Sequence, residues 1–203
     1  MDKLCRETAK NEEKTSFAGK RRKTENKQML TMKRIFEEDK EIYAKIKTLY
    51  DSAFPKNERK EIKYLLEKGQ DVGEVYAFFD GEKFVGFTCL LNYHSICHVI
   101  YFAVAENLRD EGYGTKIIKA VCEAKKRKRV LVDIEMEEDD APNEAQRVKR
   151  KEFYLRNGFK DTEITYRWEG EDYEILSYGG NCTKGEFRAF WSGIYKKEPL
   201  FDF

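Results

Sequence analysis

The chain has 203 residues, enough for one domain with appendages, and its 39 Lys/Arg against 38 Asp/Glu leave a net charge of only +1. That balance excludes a global field steering the protein onto nucleic acid or an anionic membrane, so any electropositive site is local. No apolar run approaches the roughly 18 residues of a spanning helix, and no secretory leader is expected at the N-terminus.

Residues 1–28 carry almost no apolar side chains and are expected to be a disordered tail, with the Lys20-Arg21-Arg22-Lys23 cluster simply solvated. Met32 to Phe36 then reads as a strand, Lys40 to Tyr50 as a helix, and "FPKNERKEIKYLLEKG" as a second helix capped near Asn57 and stopped by Gly69. The period changes in "EVYAFFDGEKFVGFTCLL", two strand-like runs around Asp80-Gly81, a strong hairpin signal. Cys97 to Val104 makes a third strand. It runs into "NLRDEGYGTKIIKAVCEA", where Ile117, Ile118, Val121 and Cys122 fall on one helix face, and the basic run Lys125 to Arg129 complements that helix's C-terminus.

Val130 to Ile134 is a short apolar run of the buried, parallel type. "NEAQRVKRKEFYLRNGF" follows as a helix with Asn143 as N-cap, Gln146 at the capping-box position and Gly158 as the left-handed stop. Thr162 to Trp168 and Tyr173 to Ser177 make a second hairpin. A last helix opens with a capping box, Thr183 and Glu186, and presents Phe187, Phe190, Trp191, Ile194 and Tyr195 as an aromatic stripe, expected as core. An antiparallel meander, a parallel pair around a helix and helices on both faces define an α+β layered domain. The five cysteines, Cys5, Cys89, Cys97, Cys122 and Cys182, never form a Cys-x-x-Cys pair, so reduced thiols, a cytoplasmic location and no metal cage are expected.

Gly112 and Gly114 stand between strand and helix, where unpaired N–H groups and the helix dipole suit an anion such as phosphate. The dinucleotide fingerprint fails because Ile117 stands where a third glycine belongs, and the Walker pattern fails because no glycine stands five before Gly114. Glycine turns also join strands to helices with no ligand involved.

With the turn so placed, the sequence resembles the GNAT (GCN5-related N-acetyltransferase) superfamily, in particular its small bacterial-type members of unassigned substrate. Arg109-Asp110-Glu111-Gly112-Tyr113-Gly114 is similar to the family's pyrophosphate loop, and "FYLRNGF", Phe153 to Phe159, to its second motif. "AFPKNERK" adds to the likeness. The resemblance implies a mixed, mostly antiparallel sheet with a splayed parallel strand pair and helices on both faces. It divides the chain into a tail (1–28), an acetyltransferase domain (29–180) and a C-terminal aromatic helix (181–203) packed on the domain or on a partner.

The resemblance further implies acetyl-CoA as acetyl donor and no metal. Its pyrophosphate would lie on the N–H groups of Arg109 to Thr115, with Asp110, Glu111, Gly112, Tyr113 and Gly114 between, and Asn143 is grouped with these cofactor contacts. Phe102, Ala103 and Val104 would pair with the pantetheine arm, and the Val104 N–H would face the oxyanion. Tyr154 holds the position of the general acid. Direct transfer to an amine through a tetrahedral intermediate needs a base only if the amine is strongly basic; Glu135 and Glu106 are the candidates, with His94 and His98 as alternatives. A small-molecule acceptor is favoured over a protein, with neither membrane nor nucleic acid expected as partner; a homodimer is one option for the assembly. A catalytically degenerate acyl-CoA-binding regulatory module is the alternative, and a nucleic-acid-associated protein using the two basic clusters is a third reading.

Overall fold

The structure is a computed structural model that describes residues 30–56, 59–60, 62–63, 65, 72–139 and 141–196. The expected tail with its basic cluster, Cys5, and the cap at Asn57 and stop at Gly69 of the second helix lie outside the described residues. Seven strands form one sheet in the order β1-β2-β3-β4-β5-β7-β6: β1 Thr31–Ile35, β2 Gly73–Asp80, β3 Lys83–Tyr93, β4 Ile96–Val104, β5 Arg129–Glu135, β6 Lys160–Trp168 and β7 Glu171–Tyr178. Every neighbouring pair is antiparallel except β4 and β5, which run parallel. Four helices are described: α1 Lys40–Ala53, α2 Tyr113–Ala124, α3 Glu144–Arg156 and α4 Lys184–Tyr195.

Strand alternation divides the core into two layers. Val130, Val132 and Ile134 of β5 face α2 and α3, where Ile117, Ile118, Val121 and Tyr154 join them; Leu131 faces the opposite side, with Ile46 and Tyr50 of α1 and Phe187, Phe190 and Trp191 of α4. Ile117 and Ile118 are fully buried, each contributing roughly 1.5–3 kcal/mol of apolar burial. The aromatic stripe is core, as expected. Its helix is started by the capping box: the Glu186 N–H donates to Thr183 Oγ1 at 3.3 Å, and the Thr183 N–H donates to Glu186 Oε2 at 2.9 Å. Arg129, at the head of β5, clamps the same carboxylate at 2.8 Å and so ties α4 to the sheet.

The capping box expected at Asn143 does not form. Asn143 precedes α3, but its side chain makes no capping bond; its Oδ1 accepts from Arg147 Nε at 2.9 Å and its Nδ2 donates to Glu135 Oε1 at 3.3 Å. Two charged partners compete for the amide and outbid the backbone N–H groups.

Two irregularities in β4 shape the site. Cys89 pairs with Tyr101 but Leu90 pairs with Val99, which leaves Ile100 as an extra residue, a bulge. The parallel pairing with β5 ends at the same point, its last rung being Val99 with Val132. Beyond it β4 stays on β3 while β5 follows β7. The sheet therefore splits.

Candidate active site

A cleft of about 1250 Å3 runs through the split. One end is lined by Arg109, Asp110, Gly112, Gly114 and Thr115, the middle by Phe102, Ala103, Val104, Glu135, Asn143, Arg150 and Tyr154, and the far end by aromatic residues and Asp133.

At the first end the chain turns through two left-handed residues, Asp110 (φ 64) and Gly112 (φ 80), before α2 begins at Tyr113. No side chain caps this helix, and its first intrahelical bond runs from the Lys116 N–H to the Gly112 carbonyl. The N–H groups of Tyr113, Gly114 and Thr115 are therefore left for a ligand, at the positive end of the dipole. Gly112 is glycine for its φ. Gly114 is glycine for space, since a Cβ there would lie 3.2 Å from Phe153 Cε2. The Tyr113 ring is buried and points away from the cleft: its hydroxyl donates to Asp80 Oδ2 at 2.5 Å, fixing the start of α2 to the β2–β3 hairpin. These groups fit a pyrophosphate.

Along the split edge, the Ala105 N–H donates to the Val85 carbonyl at 3.0 Å. Antiparallel alternation then turns Tyr101 and Ala103 toward β3 and aims the N–H groups of Phe102 and Val104 into the gap. Tyr154 of α3 lines the gap opposite them; burial pushes its phenol up, and its hydroxyl has no hydrogen-bond partner among the described residues.

The sequence-derived carboxylates separate. Glu135 lines the cleft but is ion-paired with Arg150 and bonded by Asn143. Glu106 sits on an exposed 3-10 turn, Glu106–Leu108, and neither it nor Glu111 lines the cleft. His94 lies in the β3–β4 turn with its ring against Tyr93, also away from the cleft. His98 is completely buried; its Nε2 lies 3.0 Å from Asp133 Oδ1, and three rings of α4 surround it.

Asp133 is the residue that sequence reasoning missed. It lines the cleft and accepts a hydrogen bond from the Tyr166 hydroxyl at 2.6 Å as well as facing His98. Burial alone would push its carboxyl up, but His98 and the bonds from His98 and Tyr166 outweigh burial and hold it below the ordinary value. The available signal was a lone carboxylate inside the apolar run "VLVDI".

Among the described residues no cysteine lines the cleft, and burial raises the thiols of Cys97 and Cys122 to about 12 and that of Cys182 to about 11. No three His, Cys, Asp or Glu side chains among them gather as around a metal ion, and no helix among the described residues is long and apolar enough to cross a membrane.

A mixed sheet split at its one parallel pair, with a glycine turn opening the crossover helix, defines the GNAT fold. Residues 71–161 match the family model of the acetyltransferase (GNAT) domain, so this segment is a GNAT acetyltransferase domain. Similar solved structures include a GNAT-family protein from Bacteroides thetaiotaomicron (TM-score 0.68, 23% identity, covering 82% of this chain and 96% of that one). The ribosomal-protein-S18-alanine N-acetyltransferase of Escherichia coli (TM-score 0.55, 16% identity, 76% and 96%) is another. A Bacillus subtilis acetyltransferase in complex with CoA is a third (TM-score 0.51, 17% identity, 73% and 97%). A comparison with curated protein sequences gave no significant match.

Proposed function

We propose that the protein is an N-acetyltransferase that moves the acetyl group of acetyl-CoA directly to an amine. The observation that carries this reading is the continuity of one cleft from the uncapped N-terminus of α2, past the outward N–H groups of Phe102 and Val104, to Tyr154 and Asp133. The α2 N–H groups hold the pyrophosphate, and the edge of β4 takes the pantetheine arm as an added strand. The CoA complex of the Bacillus subtilis relative supports the donor.

In the reaction the Val104 N–H faces the carbonyl oxygen as the amine nitrogen bonds to the carbonyl carbon, and it stabilises the negative charge that develops there. The intermediate collapses by breaking the C–S bond: the Tyr154 hydroxyl gives a proton to the departing thiolate and regains one from solvent, while the nitrogen sheds its extra proton to solvent as the amide forms. A raised phenol is protonated at neutral pH and so is ready as a donor. Direct attack is favoured over an acyl-enzyme because the described cysteines are buried and protonated.

Asp133, rather than Glu135 or Glu106, meets the acceptor. Asp133 is the carboxylate at the ring-walled end of the cleft, whereas Glu135 is tied to Arg150 and Asn143 in its middle and Glu106 stands outside it. A carboxyl held below its ordinary value is a weak base but a permanent anion, so its task is to draw in and orient the ammonium. The amine then loses its proton to solvent, at a cost of about 4–5 kcal/mol at pH 7 for a lysine-like amine and about 1 for an amine near pKa 8. Release of CoA thiol from acetyl-CoA across a panel of amines tests the reading: acetylated product with one primary amine supports it, and tight acetyl-CoA binding with no thiol release for any amine replaces it with a binding module.

A further inference from the structure

The acceptor end of the cleft is walled by rings from separate elements. Phe54 follows α1, Tyr101 stands on β4, Trp168 and Tyr173 on the β6–β7 hairpin, and Trp191 and Tyr195 on α4. Flat stacks occur among them: Tyr166 lies on Tyr173 at 5.3 Å and 16°, and Trp191 on Tyr195 at 5.4 Å and 8°.

A solvent-exposed ammonium of the chain itself stands over these rings. Lys60 Nζ stands 5.1 Å from the centre of the Trp168 ring, 5.8 Å from that of Tyr195, and 3.5 Å from the Tyr195 hydroxyl. Ring faces so arranged favour a cation, and Lys60 has taken that place. Asp133 offers the other cation site, beside the split.

We infer that the acceptor is an arylalkyl monoamine, its ammonium drawn to Asp133 and its flat ring packed among the aromatic walls, with Lys60 excluding a second ammonium. This deepens the acetyl-transfer reading and rests on it. A plain alkylamine gains burial but no ring-to-ring contact. A diamine brings its second cation toward the like charge of Lys60. An α-amino acid brings its carboxylate, adjacent to the reacting nitrogen, against Asp133. Lys60 is thus a specificity residue by repulsion rather than attraction.

The chain has two tryptophans, Trp168 and Trp191, and both line this chamber, so their emission reports occupancy whether or not turnover occurs. The full chain, saturated with CoA, is titrated with phenethylamine, hexylamine, cadaverine and phenylalanine, and thiol release from acetyl-CoA is then measured for each. Phenethylamine is expected to perturb the emission at about tenfold lower concentration than hexylamine, the size of one favourable ring contact. Cadaverine and phenylalanine are expected to bind more weakly still, with the same order in kcat/KM. Lys60→Met, which keeps the apolar stem, raises cadaverine relative to phenethylamine, and Trp168→Leu narrows the gap between phenethylamine and hexylamine. Hexylamine, cadaverine or phenylalanine equal to or ahead of phenethylamine in the emission titration overturns the inference, as does a folded Lys60→Met protein with unchanged ranking. Phenethylamine binding first with no thiol released supports the chamber's selectivity and removes the transfer reading instead.

Discussion

His98 Nε2 meets Asp133 Oδ1 at 3.0 Å diagonally across the last rung of the parallel pair, Val99 with Val132, so one contact pins β4 to β5 where the two strands part. It also holds the carboxylate that faces the cleft. Asp133→Asn keeps the shape and removes the charge, and is expected to lower kcat/KM for a cationic acceptor roughly 10- to 100-fold, the worth of a hydrogen bond to a charged group. The loss should fall on KM, with acetyl-CoA affinity unchanged. An unaltered KM for the amine in a folded Asp133→Asn protein would return Asp133 to a purely structural role.

The pH dependence follows from the same group. Asp133 lies below the ordinary carboxylate value, so it stays ionised through the whole neutral and mildly acidic range. The rate at subsaturating amine should therefore rise about tenfold per pH unit toward the pKa of the amine, following the neutral amine alone. The check is a kcat/KM profile with two amines of different pKa. A limb that stays fixed when the amine is changed would mean that an enzyme group is the base.

Tyr154→Phe removes one hydroxyl and keeps the ring, which packs 5.2 Å from Phe159. Stability and acetyl-CoA affinity should hold, while the single-turnover rate falls by roughly 10²- to 10⁴-fold if the phenol is the acid. Single turnover is needed because slow product release can mask the chemical step. Acetylation at the wild-type rate would falsify the role.

The hairpin at Asp80-Gly81 and the capping box of Thr183 and Glu186 were legible in the sequence because each is decided within a few residues. The glycine turn was legible for a related reason: Gly112 needs its left-handed φ whatever the rest of the chain does. Asn143 was placed rightly at the N-cap position, but its missing capping bond was not legible, because its partners Glu135 and Arg147 come within reach only once β5 and α3 are packed. Asp133 was invisible as a site residue because nothing local says that β4 bulges at Ile100 and leaves β5 after Val99. The acceptor chamber joins residues as distant as Phe54 and Tyr195. Its Trp191 was read as core, and it serves both as core and as wall.

Docking of α4 should be sensitive to acid. Arg129 and the Thr183 N–H hold Glu186 at about 2, below an ordinary glutamate. A depressed folded value contributes stability above the unfolded value, about 4.3, and that contribution is lost as pH falls from there toward about 2. Glu186→Gln loses the ion pair and part of the capping box, so at neutral pH its Tm should drop by about 2–4 °C for a loss near 1 kcal/mol. Its further decline in acid should be shallower than that of the wild type. Parallel Tm curves for the two proteins down to low pH would show that Glu186 contributes nothing through its charge.

Binding of acetyl-CoA at the N-terminus of α2 is the claim on which the rest depends, and calorimetry of the full chain and of Gly112→Val tests it most directly. Gly112 holds φ 80 with open space around its Cα, so a Cβ meets no neighbour there and the substitution acts on the backbone of the turn alone. The strain of a branched residue in that region is about 1–3 kcal/mol, within what the fold can absorb. The expected result is one acetyl-CoA bound per wild-type chain and a marked loss of affinity in a folded Gly112→Val protein. Equal affinity in the two proteins, or no binding to the wild type, would contradict the account.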